Sequence, residues 1–86
     1  MFRYHWSVAA LDELADVYVN ETAAHRERIA AGVEHFNRRL GDDPFDVGES
    51  RTKGYRVAFP PLLRVSFRVN KETRRVEVVS IIRYGK

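Results

Sequence analysis

The run YRVAFPPLLRVSFRVNKETRRVEVVSIIRY, residues 55–84, predicts three consecutive antiparallel strands. Apolar side chains recur at every second position, as they do along half-buried strands. Pro60-Pro61 separates the first two strands, because proline cannot donate to a ladder, and residues 70–73 form the second turn. The last run, residues 76–82, is rich in β-branched side chains and is typical of a central strand.

The second of these strands shows the alternation most clearly. Leu63, Val65 and Phe67 alternate with Arg64 and Arg68, and successive side chains of a strand point to opposite faces of its sheet. One face of the sheet is therefore predicted to be apolar. The opposite face is predicted to carry three arginines, if the two hairpin strands pair in the register that we assume: Arg56, Arg64 and Arg68.

The first half of the chain predicts a short strand and two helices. Residues 2–6 alternate aromatic and polar side chains, as a strand does. Ser7 can cap a helix over residues 8–19, and a second helix is expected over residues 22–40, with Gly41 as its C-terminal cap. The order β-α-α-β-β-β predicts an α+β, two-layer fold with a helical hairpin packed on a small antiparallel sheet.

The change from a helical to a two-residue period near residue 55 also predicts the core. The apolar side of the helical hairpin is expected to pack on the apolar face of the sheet. The side chains expected to be largely buried are Leu11, Leu14, Ile29, Val33, Phe36, Val65, Phe67, Val78 and Ile82.

Length and composition narrow the class of protein. The 86 residues predict a single small domain, residues 1–86. The absence of cysteine excludes disulfides and thiolate metal sites and fits a reducing, cytoplasmic location. No apolar run approaches the ~18 residues that a membrane-spanning helix needs, so no membrane partner is expected. The three histidines, His5, His25 and His35, are too far apart for a local ligand set, and we expect neither a metal nor another cofactor.

Charge is distributed unevenly along the chain. Residues 1–50 hold five Lys and Arg against ten Asp and Glu, a balance of −5, whereas residues 51–86 hold ten against two, a balance of +8. This asymmetry favours an anionic partner, such as nucleic acid, for the C-terminal half. The alternative is that the acidic helices neutralise the basic sheet within one fold.

The arginines, together with Tyr84 near the end of the last strand, are the strongest functional signal. Arginine can bind a phosphate through two hydrogen bonds and can stabilise the charge that develops in phosphoryl transfer. Tyrosine can stack on a base or hold a proton. The alternative is a solvated sheet face whose arginines serve solubility, and spacing alone does not separate the two interpretations.

Two segments resemble the RelE/ParE superfamily of bacterial toxins from type II toxin–antitoxin systems. They are LGDDPFDVGESR, residues 40–51, and PLLRVSFRVNKETRRVEVVSII, residues 61–82. The second is similar to the family pattern of a small loop, a strand with an arginine near its start, a charged turn and a strand that ends near a basic residue. The predicted order of elements also resembles that of the family over nearly the whole chain.

The resemblance implies a set of site residues. In RelE-like members, which cut mRNA in the ribosomal A site, the chemistry rests on strand lysines, arginines and a C-terminal tyrosine, with no metal. Ala58 stands where a second lysine is expected, and the sequence ends at Lys86, before the extension that carries the family tyrosine, so a nuclease activity is expected to be weakened. The resemblance implies catalytic roles for Arg64, Arg83 and Tyr84, and substrate-binding roles for Arg56, Arg68 and Lys53.

Three functions are therefore open at this point. The first is a toxin that inhibits growth by ribosome-dependent mRNA cleavage, an RNA-binding mRNA interferase of a family associated with plasmid stabilization. The second is a ParE-like poison of DNA gyrase without nuclease activity, and the third is a non-toxic nucleic-acid-binding module that uses the basic sheet face. The expected partners are a cognate antitoxin and either the ribosome with its mRNA or DNA gyrase. The antitoxin is expected to cover a groove or a sheet edge, as a docked helix or an added strand.

Overall fold

The computed structural model of the chain describes residues 1–85. Two helices pack against a five-stranded sheet, so the predicted α+β, two-layer architecture is confirmed. None of the helices in these residues is long and apolar enough to cross a membrane. In chain order the elements are β1 (Arg3–Trp6), α1 (Val8–Val19), α2 (Ala23–Asp42), β2 (Glu49–Ser50), β3 (Tyr55–Ala58), β4 (Leu63–Asn70) and β5 (Arg75–Arg83).

The sheet has the strand order β1-β5-β4-β3-β2. The three predicted C-terminal strands pair antiparallel, as expected. β1 pairs with β5 in parallel, so the sheet is mixed rather than wholly antiparallel. No hairpin turn joins these two strands, and the sequence therefore did not indicate their relative direction. The predicted loop after α2 contributes β2, a short edge strand that pairs with β3.

The ends of the helices follow from local capping. The Ser7 hydroxyl accepts a hydrogen bond from the Ala10 N–H at 3.0 Å, and the Thr22 hydroxyl accepts one from the His25 N–H at 3.2 Å. Each bond satisfies one of the amides that a helix leaves unpaired in its first turn. The prediction that Gly41 ends α2 is wrong, because α2 continues to Asp42. The Gly41 carbonyl instead accepts a hydrogen bond from the Phe2 N–H at 2.9 Å and ties the N-terminus to α2.

The core lies between α2 and one face of the sheet, which we call the helix face; the opposite side is the open face. Ile29, Phe36 and Leu40 of α2 are buried there. The Phe36 ring meets the Phe67 ring edge-on, with 5.6 Å between centroids. The Trp6 Nε1–H donates to Asn37 Oδ1 at 2.9 Å, which satisfies the polar end of a half-buried side chain. These contacts hold α2 against the sheet.

Two residues of the predicted core are exposed, so their predicted burial is wrong: Leu11 is 51% exposed and Ile82 is 48% exposed. The cause at Ile82 is a register shift in β5, where Ser66 lies opposite Ser80 but Phe67 lies opposite Val78. A bulge inserts one residue and changes the phase of the alternation. Ile81 is therefore buried in place of its neighbour, and Ile82 lies on the open face opposite Arg64.

The cause at Leu11 is the position of α1, which lies along the edge of β5 beyond the end of β1. The Ser7 hydroxyl donates to the Val79 carbonyl at 3.3 Å, and Glu13 Oε1 accepts from the Ile81 N–H at 3.0 Å. These side chains occupy backbone groups that an uncovered strand edge would leave unpaired. With Glu13 turned toward β5, Leu11 lies on the other side of the helix and faces solvent.

We expect Gly48→Ala to destabilise the fold by roughly 2–3 kcal/mol. Gly48 has a φ of 66°, and an added Cβ would lie 2.2 Å from the Val57 carbonyl oxygen, so β3 would have to move. Gly54 has a φ of 80° with nothing within 4 Å of its added Cβ. Gly54→Ala is therefore the matched control and should cost only the backbone strain, about 1 kcal/mol. Urea denaturation of both variants measures the difference, and equal losses would contradict the steric argument.

Candidate functional site

The register of the sheet decides which face each arginine occupies, because directly opposite residues of antiparallel strands share a face. Arg68 lies opposite Tyr55, and Arg64 lies opposite Ile82, on the open face. Arg56 lies opposite Phe67 and therefore on the helix face. The prediction that Arg56, Arg64 and Arg68 share one face is wrong for Arg56. The connection from β3 to β4, in which Leu62 has a φ of 66°, shifts the alternation by one residue between the two strands.

The Arg56 guanidinium holds the loop after α2 through hydrogen bonds to its backbone. Its Nε donates to the Val47 carbonyl at 3.0 Å, and its Nη2 donates to the carbonyls of Phe45 and Gly48 at 2.9 and 3.1 Å. A charged donor strengthens each of these bonds. Arg56 therefore closes a structural loop, and its predicted substrate-binding role stays without support from its contacts.

The Arg83 guanidinium also makes hydrogen bonds within the fold. Its Nε donates to Glu21 Oε2 at 2.6 Å, and Glu21 Oε1 lies 2.8 Å from His25 Nδ1. The Arg83 Nη1 donates to the carbonyls of Tyr84 and Gly85 at 3.2 and 2.8 Å. These bonds tie the connection between the two helices to the end of β5. Because Arg83 lies opposite Leu63, which is buried, it is on the helix face rather than beside Arg64.

The Glu21 carboxylate is electrostatically stabilised in this network. The hydrogen bond from Arg83, followed by that from His25, lowers the pKa of Glu21 below its ordinary value of 4.5, although partial desolvation acts in the opposite direction. The role of Glu21 was not predictable from the sequence, because Glu21 lies 62 positions from Arg83 and no local pattern marks the pair.

We expect the Glu21 network to make stability depend on pH in the acid range. A lowered carboxyl pKa means that the unfolded chain binds more protons, so the contribution is complete above about pH 5.5 and is lost as pH falls through 4.5 and below. Glu21→Gln should lower the melting temperature at pH 7 and flatten its decline between pH 6 and about pH 3. Glu27→Gln, on the exposed side of α2, is the matched control and should keep the parent's profile. Parallel profiles for parent and Glu21→Gln would contradict the account.

Four residues on the open face, Phe59, Arg64, Ile82 and Tyr84, form what we call the open-face patch. The Phe59 and Tyr84 rings lie 5.0 Å apart with an interplanar angle of 47°, and the two side chains are 50% and 53% exposed. The Tyr84 N–H donates to the Leu62 carbonyl at 2.9 Å, which continues the β4–β5 pairing past Arg83 and places the tyrosine at this end of the sheet.

Arg64 lies within this patch, opposite the exposed Ile82. Across residues 1–85 its guanidinium makes neither a hydrogen bond nor an ion pair with another side chain. An unpaired cation beside exposed aromatic rings can bind an anionic group and an adjacent flat or apolar group together. Arg64 and Tyr84 were predicted from the sequence as site residues, whereas Phe59 was not singled out and Ile82 was expected in the core.

The other predicted site residues lie elsewhere. Arg68 stacks over the Tyr55 ring at 5.2 Å and lies opposite Glu77, whose carboxylate is 3.2 Å from His5 Nε2. Lys53 is exposed in the turn before β3, at the opposite end of that strand from Phe59. The structure thus brings Arg64 and Tyr84 to one end of the open face and leaves Arg68 and Lys53 at the other.

The side chains of the described residues limit the chemistry that this site can perform. They contain no group of three or more His, Asp and Glu side chains that could hold a metal ion. The open-face patch offers one cation, one phenol and two apolar surfaces. Its only proton-transfer group among the four residues is Tyr84.

Comparison with known proteins identifies the fold. No protein-family model matches the sequence, and no curated protein matches it. Among solved structures, a chain of the RelBE2 toxin–antitoxin complex from Mycobacterium tuberculosis superimposes with a TM-score of 0.73, covering 96% of this chain and 98% of that chain at 21% identity. A chain of the chromosomal ParDE toxin–antitoxin system from P. aeruginosa gives a TM-score of 0.74, covering 99% and 98% at 17% identity.

These similarities extend over nearly all of both chains. The protein therefore has a RelE/ParE-like fold, and the resemblance predicted from residues 40–51 and 61–82 is confirmed at the level of the fold. The two similar structures are one of the RelE type and one of the ParE type, so the fold does not separate the two modes of action.

Proposed function

We propose that this chain is the toxin of a type II toxin–antitoxin pair, neutralised by a cognate antitoxin, and that it inhibits growth by binding its target through the open-face patch. The fold and the toxin–antitoxin complexes in which similar chains occur support this proposal. The observation that carries the mode of action is that the unpaired Arg64 and Tyr84, whose exposed ring lies 5.0 Å from that of Phe59, occupy the same end of the open face.

A binding mode, such as poisoning of DNA gyrase, fits these residues better than cleavage of RNA. A nuclease needs a positioned acid or base and groups that stabilise the charge of the transferring phosphate. Arg83, one candidate for that second role, is neutralised by Glu21, and Arg56 is tied to three backbone carbonyls. A protein that traps a target needs only complementary surface, which an unpaired arginine opposite an exposed isoleucine provides.

Metal-independent, ribosome-dependent mRNA cleavage is the second candidate, and one observation favours it. Arg64 and Tyr84 lie at the same end of one face, where the arginine could stabilise a phosphate and the tyrosine could transfer a proton. In either mode the targets are cytoplasmic, and we propose that location for the chain.

The two modes are separated by two assays on the purified chain. Incubation with DNA gyrase, ATP and supercoiled plasmid should yield linear DNA after denaturation if the chain traps cleaved complexes. Primer extension on mRNA from a translating extract should show new 5′ ends if the chain is a nuclease. Arg64→Ala should abolish the signal in whichever of the two assays is positive for the parent. Arg28→Ala, exposed on α2, should keep that signal. If both assays are negative while the chain binds DNA or RNA in solution, it is a non-toxic binding module and the proposal is wrong.

A further inference from the structure

Tyr84 is held in the open-face patch by three contacts. Its N–H donates to the Leu62 carbonyl at 2.9 Å, and its ring centroid lies 5.0 Å from that of Phe59. Its carbonyl accepts from Arg83 Nη1 at 3.2 Å. The first two contacts come from the connection between β3 and β4, whereas the third comes from a side chain on the helix face. The position of Tyr84 therefore depends in part on a group outside the patch.

The backbone after Tyr84 brings a second carbonyl to the same guanidinium. Gly85 has a φ of 83°, in the left-handed region that favours glycine, and its carbonyl accepts from Arg83 Nη1 at 2.8 Å. Two successive carbonyls thus share one nitrogen of Arg83, and the positive charge of the donor strengthens both bonds. We call these two hydrogen bonds the Arg83 clamp.

Glu21 orients the guanidinium that forms the clamp. Its Oε2 accepts from Arg83 Nε at 2.6 Å, and its Oε1 lies 2.8 Å from His25 Nδ1. The Glu21 side chain is 13% exposed, so this bond is largely shielded from water. Because a guanidinium is planar, a bond at Nε fixes the direction in which Nη1 points. The carboxylate on the connection between α1 and α2 therefore sets the geometry of the clamp.

Glu21 and Arg83 do not themselves belong to the patch. Arg83 lies opposite the buried Leu63, and Glu21 lies between the two helices. The Nε and Nη1 atoms of Arg83 already donate to groups of this chain. An effect of Glu21 on the patch must therefore pass through Arg83 and the backbone of Tyr84.

We propose that Glu21 and Arg83 are positioning residues for the open-face patch: Glu21 orients Arg83, and Arg83 holds Tyr84 in the conformation that binds the target. The inference rests on the proposed function for the role of the patch, and it adds two residues that lie outside the patch. It differs from a purely structural role, in which the bond between Glu21 and Arg83 stabilises the whole fold and Tyr84 keeps its place when that bond is lost.

Proton NMR of the purified chain tests the positioning directly. The parent should show a nuclear Overhauser cross-peak between the rings of Phe59 and Tyr84, whose centroids are 5.0 Å apart. A second cross-peak should join the core rings of Phe36 and Phe67, whose centroids are 5.6 Å apart. Glu21→Gln should lose or weaken the first cross-peak and keep the second, at a temperature well below the melting temperature of either protein. Retention of both cross-peaks, or loss of both, would overturn the inference.

A double-mutant cycle tests the effect on binding. The probe is DNA gyrase, or ribosomes if the cleavage assay is the positive one. Tyr84→Ala should weaken binding by about 10-fold or more, as loss of an aromatic anchor does. Glu21→Gln should weaken binding by about 3- to 10-fold, the contribution of one hydrogen bond. In the Tyr84→Ala background the same change should matter by less than about 2-fold, because the residue that Glu21 positions is already absent.

Two further variants make the cycle specific to the clamp. Arg83→Lys keeps the positive charge, but a lysine has no planar fork that can reach Glu21 and two carbonyls together, so it should weaken binding in the same direction. Glu27→Gln, exposed on α2, removes the same charge without touching the clamp and should bind as the parent does.

The outcomes separate this inference from the proposed function. Parent-like binding by Glu21→Gln and Arg83→Lys, together with weakened binding by Tyr84→Ala, would overturn the inference and leave the proposed function standing. Equal losses from Glu21→Gln in the two backgrounds would assign it a structural role and would also overturn the inference. Parent-like binding by Tyr84→Ala and Arg64→Ala would overturn the proposed function, and this inference with it.

Discussion

Replacing Leu40 with alanine is expected to lower the free energy of unfolding by about 2–5 kcal/mol. Leu40 lies near the end of α2 with none of its surface exposed, so truncation leaves a cavity between the helix and the sheet. A domain of this size is stable by only about 5–15 kcal/mol. The melting temperature should therefore fall by roughly 10 °C or more.

Leu11→Ala is the matched control, because the same substitution on α1 removes a side chain that is 51% exposed. It should cost less than about 1 kcal/mol, which is typical of surface positions. Urea denaturation of the two variants and the parent measures both effects. Equal losses would mean that Leu11 is buried, as its position in the α1 sequence pattern predicted.

The second large effect is expected at Arg64. Arg64→Ala should relieve growth inhibition and weaken target binding by about 30-fold or more, the factor associated with an arginine that anchors an interface. The melting temperature should change little, because the guanidinium has no partner within residues 1–85.

Arg83→Ala is the contrasting variant. It breaks the bond to Glu21 and the bonds to two backbone carbonyls at the chain end, so it should lower the melting temperature. The resemblance to RelE-like toxins implied a catalytic role for Arg83, and the loss of a catalytic side chain would remove activity without loss of stability. A parent-like melting temperature for Arg83→Ala, together with full loss of toxicity, would favour that catalytic interpretation over the structural role described here.

The features that the sequence predicted well are those that local periodicity and capping determine. Ser7 caps the first helix as predicted, and the alternation in residues 63–69 marks β4. The parallel pairing of β1 and the bulge in β5 were not predictable in this way. Both depend on contacts between strands that are far apart in the chain, and a single bulge exchanges Ile81 and Ile82 between the core and the open face.

The site was predicted only in part, again because it depends on contacts between residues that are far apart in the chain. Arg64 and Tyr84 lie at one end of the open face. Arg56 and Arg83 lie on the other face, because the β3–β4 connection shifts the alternation and because Glu21 is brought to Arg83 only by the tertiary fold. A positive charge in a sequence does not show whether the fold already contains its counter-ion.

Colony counts after induced expression in a bacterial host, with and without the product of the upstream gene, test the central claim most directly. The account predicts that counts fall when the chain is expressed alone, recover when the upstream product is present, and stay high for Arg64→Ala. Unchanged counts while soluble, folded parent protein accumulates would contradict a toxin function for this chain.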